Sequence, residues 1–335
     1  MLNEVTRRRK MSLKESVLKI LNEHKGTLVS GGELAKALGV SRNSVWKMVN
    51  ALKAEGYDIT SHPKHGYTIS SSANVFNACE VKKNLNNHHK LYFYDVASSS
   101  NDIAKAMAQN GEAEGSVVVV KSQTSGKGRM GRRFISSSEN GLYFTMILRP
   151  RLPAGESLNL TVLGAVALSE AIEKTSGVQT QIKWVNDIYI NGKKCAGILS
   201  EAQLNFESGM LDYLVIGMGI NITPPQGGFD DEISNIATSI YENNAPCGYK
   251  SQLLAEIINT FFDYYQRIDD KSFIDAYRNK SNLIGKAVDV YQGDKVISGV
   301  AVDIDNDARL IVKVGDKIIP FNSGEARVRE ASKML

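Results

Sequence analysis

Residues 124–134, TSGKGRMGRRF, set the tightest limit on how this chain folds. Gly126, Gly128 and Gly131 satisfy G-x-G-x-x-G, the spacing with which a doubly wound α/β domain cradles a dinucleotide. That fold needs a helix directly after the glycines and an acidic residue about 20 positions on. Here the continuation is RRFISSSENGLYFTMIL, turn-forming serines and then an aromatic, β-branched strand. Leu148 and Arg149 stand where the acid belongs. The doubly wound reading fails, and no G-x-x-x-x-G-K-[ST] is present to replace it. What remains is a glycine loop bearing Lys127, Arg129, Arg132 and Arg133. Glycine lets backbone approach a ligand and arginine offers a planar fork to phosphate oxygens. A solvated basic turn is the competing reading of the loop taken alone.

The surroundings divide the 335 residues into three textures. Ser12 with Glu15 reads as a capping box ahead of a helix carrying Leu13, Val17, Ile20 and Leu21. A helix over 32–38, a turn at Gly39 and a helix from the cap Ser41 make a helix-turn-helix. The alternating YDITSHPKHGYTIS, folded at Pro63–Gly66, adds a hairpin, so residues 1–72 are predicted to form a winged helix-turn-helix. Strands and helices then alternate over 73–282. From 283 to 335 short strands at turn-punctuated intervals predict a small SH3-like β-barrel. The fold class is multidomain α+β.

Charge separates the first texture from the others. Residues 1–70 carry 12 Lys and Arg, including the run Arg7–Lys10, against 6 Asp and Glu; the other 265 residues have a net charge of −2. A basic module on a near-neutral body points to a polyanionic partner for the module. The second helix of the motif offers Ser41, Arg42, Asn43, Ser44, Trp46 and Lys47 to a major groove, and the wing offers Lys64, His65 and Tyr67. Trp46 fits the core equally well. No apolar run approaches the roughly 20 residues needed to cross a bilayer. The N-terminus has no apolar stretch of a secretory signal. Cys79, Cys195 and Cys247 are odd in number and far apart, which argues against disulfides and for a reducing cytoplasm.

Four motifs in order, SSSND (98–102), GKGRMGRRF (126–134), KWVNDIYINGKKCAGIL (183–199) and GMGIN (217–221), resemble those of the biotin–protein ligases. With the winged helix, the chain resembles the bifunctional class that also represses biotin genes. The resemblance implies a central domain like that of the class II aminoacyl-tRNA synthetases, a mixed sheet with helices. It implies ATP, Mg2+ and biotin as ligands, biotinyl-5′-AMP as intermediate and corepressor, and a lysine of the biotin carboxyl carrier protein as acceptor. Operator DNA and a ligand-favoured homodimer complete its partners.

Carried over residue by residue, the motifs place biotin against Ser99, Ser100, Asn101, Gln123, Gly126, Lys127, Gly128, Arg129, Lys194, Gly197 and Gly217. ATP falls to Arg129, Arg132, Phe134, Lys183, Asn186, Asp187, Lys194 and Asn221, with Asp187 also the candidate Mg2+ ligand. Arg129, Lys194 and Asp187 are the expected catalytic residues. Adenylation presses a carboxylate against a phosphate, so fixed cations suit it. Structural readings stand beside these: Ser99 as a helix cap, Asn186–Asp187 as a turn, Gly197 and Gly217 as strand irregularities. Lys127, Met130 and Val185 depart from the usual Arg, a basic residue and Pro. A regulator whose ligase-like domain only senses ligand is the alternative function.

Overall fold

The computed structural model describes residues 12–54, 57–70, 76–136, 140–205 and 207–329. The basic run Arg7–Lys10, the boundary at 72–73 and the limit at 335 lie outside the described residues. The chain separates into two compact units, Met1–Glu80 and Val81–Leu335.

In the first unit, helices α1 (Leu13–Glu23), α2 (Gly31–Leu38) and α3 (Arg42–Ala54) precede strands β1 (Ile59–His62) and β2 (Gly66–Ile69). Both Ser12–Glu15 and Ser30–Glu33 close capping boxes, and Gly39 ends α2 in the left-handed region at φ 65°. The Ser41 hydroxyl accepts from Ser44 N–H at 3.1 Å, fixing where α3 begins. Val17, Leu21, Leu34, Val45, Val49, Leu52 and Ile69 meet in one core. A helix α4 (Ala78–Lys82) follows.

The second unit holds a seven-stranded mixed sheet. Its strands are β3 (Leu91–Ala97), β4 (Val117–Gln123), β5 (Gly141–Leu148), β6 (Gln181–Lys183), β7 (Asp187–Ile190), β8 (Lys193–Leu204) and β9 (Leu211–Asn221). They lie in the order β3-β4-β5-β9-β8-β7-β6, and only β3 with β4 is parallel. The apolar-rich sequence QIKWVNDIYI is not one strand but two: Trp184–Asn186 turn back so that Lys183 pairs with Asp187. Asn186 therefore lies in a turn and Asp187 opens β7.

Helices α5 (Ser100–Gln109), α6 (Ser157–Ser176), α7 (Tyr249–Gln266) and α8 (Ser272–Lys280) complete this part. Strand period assigns the faces. Tyr213 and Val215 of β9 pack with Ala104 and Ala108 of α5, whereas Ile216 and Met218 lie against Gly164 of α6. Helices thus cover both faces, which explains why every residue of β5 is buried. Gly217, by parity, faces α5.

Strands β10 (Ala287–Gln292), β11 (Lys295–Ile304), β12 (Leu310–Val314), β13 (Lys317–Phe321) and β14 (Glu325–Val328) form a five-stranded antiparallel sheet ordered β13-β12-β11-β10-β14. The apolar stretch over 308–321 is broken at Gly315, φ 59°, into β12 and β13. This module is seated on the central part by polar bonds: Trp184 Nε1 donates to Ala308 O at 3.1 Å, and Arg278 donates to Asn306 Oδ1 at 2.7 Å.

Candidate active site

The glycine loop is a short hairpin. Gly128 N–H donates to Arg132 O at 2.7 Å and Phe134 N–H to Gly126 O at 2.9 Å. A side chain on Gly126 would fall 2.2 Å from Ser136 Oγ and 2.4 Å from Phe134 O, so only glycine fits the neck. Met130 and Gly131 take positive φ at its tip. The hairpin reaches over a cavity of about 680 Å³.

Ser99, Ser100, Asn101, Gln123, Lys127, Gly128, Arg129, Arg132, Phe134, Lys183, Asn186, Asp187, Lys194, Gly197 and Gly217 all line this cavity. The four sequence motifs, more than 100 residues apart at their extremes, therefore converge. Gly126 and Asn221 are not on its wall; the Asn221 amide donates to Thr238 O at 3.0 Å.

Ser99 holds the N-cap position of α5, yet its hydroxyl makes no capping bond there. Ser100 N–H donates to Gln123 Oε1 at 2.7 Å, and Gln123 Nε2 donates to Ser136 Oγ at 3.0 Å. Asn101 is engaged within the protein. Its amide donates to Leu199 O and Glu201 Oε2 at 3.2 and 2.8 Å, while Thr145 Oγ1 lies 2.7 Å from its carbonyl oxygen. The site glycines make room for side chains. A Cβ on Gly217 would stand 1.9 Å from Asn101 Oδ1, one on Gly219 2.6 Å from the Phe134 ring, and one on Gly197 3.0 Å from Lys194 Nζ.

Two cations bracket the turn after Lys183. Arg129 donates to Asn186 Oδ1 at 3.2 Å, and Lys194 Nζ lies 2.6 Å from Asp187 Oδ1. That oxygen is buried and has no aligned hydrogen bond, so the ion pair is its engagement. Burial pushes the Arg129 guanidinium and the Lys183 amine below their ordinary values, against the pull of Asp187. The Lys183 amine sits 5.7 Å from the centre of the Tyr189 ring, whose phenol burial pushes up to about 12. In all, Lys127, Arg129, Arg132, Arg133, Lys183, Lys194 and Arg327 line the cavity against Asp187 and Glu325. Seven cations facing two carboxylates favour a polyanionic ligand.

Several lining residues were not foreseen from the sequence. Gly219 was legible, since it shares the face of Gly217 two residues away. Glu325 and Arg327 of β14, and Ile233 and Ile236 of the segment between β9 and α7, carry no local signal. That segment is stitched to β8: Lys194 N–H donates to Ile236 O and Thr238 N–H to Lys194 O, both at 2.8 Å.

In the first unit, Ser41, Arg42, Asn43, Trp46 and Lys47 of α3 and Lys64 and His65 of the wing are exposed, with Ser44 half-buried. Trp46, 53% exposed, is outside the core.

Comparisons with known proteins agree with this division. Residues 93–221 match the model of the biotin/lipoate A/B protein ligase family, residues 14–68 that of a helix-turn-helix domain, and residues 283–329 that of the biotin protein ligase C-terminal domain. The bifunctional ligase/repressor BirA of Bacillus subtilis is 37% identical over 232 residues, 68% of this chain and 71% of that protein. The Escherichia coli bifunctional ligase/repressor BirA is 25% identical, over 92% of this chain and 95% of its own. The biotin protein ligase of Aquifex aeolicus, solved in complex with biotin and ATP, superposes with a TM-score of 0.60. It is 25% identical, over 72% of this chain and 99% of that one. The fold and site define a ligase of the biotin/lipoate class joined to a helix-turn-helix domain. This chain belongs to the biotin protein ligase family, in its bifunctional ligase and repressor form.

Proposed function

We propose that the cavity activates biotin with ATP to biotinyl-5′-AMP and passes the biotinyl group to a lysine of the biotin carboxyl carrier protein. The observation that carries this reading is the placing of Arg129 and Lys194 on either side of Asn186–Asp187, in a cavity rich in cations. A biotin carboxylate oxygen attacks the α-phosphorus, forming the C–O–P link, and pyrophosphate leaves with the electrons of the broken P–O bond. Two anions must be held together while charge develops in flight. Arg129 and Lys194 offset that repulsion, and as fixed cations they do so without reorganising. In this reading Arg132 and Lys183 hold the phosphates and Phe134 offers a face to adenine. Ser99, Ser100 and Gln123 meet the polar ring of biotin. Asn101 shapes that subsite from behind, because its own polar atoms are engaged within the protein.

The acceptor amine then attacks the acyl carbon and AMP departs; Asp187 is the candidate to accept the amine's proton. Asp187 also fits Mg2+ in the way that ion accompanies nucleotides, with one carboxylate and most ligands from phosphate and water. Its buried oxygen without an aligned hydrogen bond suits that role, and the described residues contain no all-protein cluster of three acidic, His or Cys groups. When bound, the ion neutralises charge between the phosphates.

The winged helix binds operator DNA through α3 and the wing, as a homodimer favoured by the adenylate, in the cytoplasm. No described helix is long and apolar enough to cross a membrane. Incubation with ATP, biotin and a carrier domain, read with streptavidin, tests the ligase. Wild type should label the domain, and Lys194→Met should lower the adenylation rate by about 10²–10³-fold. A wild-type protein that binds biotin but labels nothing is a sensor only. In gel shifts with DNA upstream of biotin genes, biotin plus ATP should raise affinity; equal affinity without them refutes the coupling.

A further inference from the structure

The glycine loop is fastened to α5 by a side-chain contact between two of the motifs. On its incoming arm the backbone bonds end at Thr124 and Ser125, whose N–H groups donate to Ala97 O and Ser98 O at 2.9 and 3.0 Å. Beyond that point Lys127 reaches back, placing Nζ 2.6 Å from Asp102 Oδ1. Asp102 stands in the first turn of α5, directly after the Ser99–Asn101 run on the cavity wall. It is steadied in turn: Lys105 Nζ lies 3.3 Å from the same oxygen and 2.6 Å from Glu201 Oε1 of β8. Glu201 uses its other oxygen to accept from Asn101. Asp102 is thus a fixed post, and lifting the loop off the cavity must break its pair with Lys127.

We propose that Asp102 is a positioning residue, which holds the glycine loop down over the cavity through Lys127 and so slows escape of the bound adenylate. This rests on the cavity being the adenylate site. The charge on Lys127 then serves the loop, while its backbone faces the ligand. An acyl-adenylate that leaves early is lost to water before the carrier lysine arrives, so retention bears on how much biotin reaches the carrier.

The test is the rate at which radiolabelled biotinyl-5′-AMP, formed on the full-length protein from ATP and biotin, leaves after desalting in the absence of carrier. Asp102→Ala and Lys127→Met should each speed release about two- to fivefold, the range for a partly exposed pair. The double variant should be no faster than either single one. Raising salt should speed release from wild type by a larger factor than from the single variants, because the partly exposed pair is screened in addition to the contacts that hold the adenylate. The exchange Asp102→Lys with Lys127→Asp should restore slow release, which a merely structural role for either residue would not do. Unchanged release in the folded single variants, or effects that multiply in the double variant, overturns the proposal. If Asp102→Ala does not fold, Lys127→Met against the exchanged pair decides the matter. Wild type that forms no adenylate at all fails before any variant is compared, and then the site assignment falls with the proposal.

Discussion

Gly217 shows how much a single missing Cβ decides. The strand around it is covered on the α5 face, and the space a side chain would take is filled by the Asn101 carboxamide. Asn101 cannot swing aside at little cost, because Leu199 O, Glu201 and Thr145 all hold it. Gly217→Ala is therefore expected to destabilise the protein by about 1–3 kcal/mol, as overpacking does. Thermal melts should show a drop of several degrees, with a raised KM for biotin as the Asn101 side of the subsite shifts. Adding Asn101→Ala should recover part of that loss, since the two act through one contact. A Gly217→Ala protein as stable as wild type would show that the carboxamide is free to move. The motif GMGIN made glycine visible in the sequence, but it could not say that the glycine makes room for the Asn101 carboxamide. That distinction depends on α5, more than 100 residues earlier.

At the scale of elements, α3 keeps buried and exposed residues on separate parts of its surface. Val45, Val49 and Leu52 bury one stripe of it, and the Ser41 cap starts it. Trp46 lies about a quarter turn from that stripe and, being exposed, contributes little to the core. Trp46→Ala should leave thermal stability within about 0.5 kcal/mol, the usual range for a surface change. DNA affinity in gel shifts should fall about 5–100-fold if the indole meets a base or sugar, in the range of a few kcal/mol for a good contact. Ser41→Ala should do the reverse, costing about 1 kcal/mol of stability through the lost cap. Undiminished DNA binding by Trp46→Ala would remove the indole from the contact surface and leave recognition to Arg42, Asn43 and Lys47. Much of this was legible, because short-range signals govern it: capping boxes, helical spacing and a hairpin turn. The turn at 184–186 was legible only as an alternative reading of Asn186–Asp187. Lys183–Trp184 and Ile188–Ile190 read as continuous apolar-rich strand, and only the pairing of β6 with β7 brings Lys183 opposite Asp187. The order of the sheet likewise follows from long-range pairing, which local pattern does not encode.

Across the whole second unit, Glu325 joins what the sequence keeps far apart. From β14 it accepts from Arg327 at 3.0 Å and from Arg132 of the glycine loop, so the C-terminal module forms part of the cavity wall. Nothing in the short strands of that module signals such a role, because its partner lies almost 200 residues upstream. Burial alone would raise the Glu325 carboxyl, but Arg327 and Arg132 outweigh it and hold the group at about 2. The sign of the resulting pH dependence follows from the two states. In the unfolded chain the carboxyl takes up its proton near its ordinary value of about 4.3, whereas in the folded protein it stays ionised well below that. The contribution of Glu325 is complete above about pH 5, and acid removes it progressively as pH falls from there through about 2. In the seat of the module the Trp184–Ala308 and Arg278–Asn306 bonds involve no carboxylate, whereas the Arg278–Asp303 and Lys271–Asp307 pairs do and are common to wild type and variant. Glu325→Gln should accordingly melt below wild type by a constant margin from pH 8 to about 5. That margin should narrow with further acid and close only below about pH 2, once the folded wild type also carries a neutral side chain. A margin of the same size at neutral pH and at about pH 2 would mean that shape, and not charge, is what Glu325 contributes. No margin at neutral pH would mean that the bridge between loop and module adds nothing to stability.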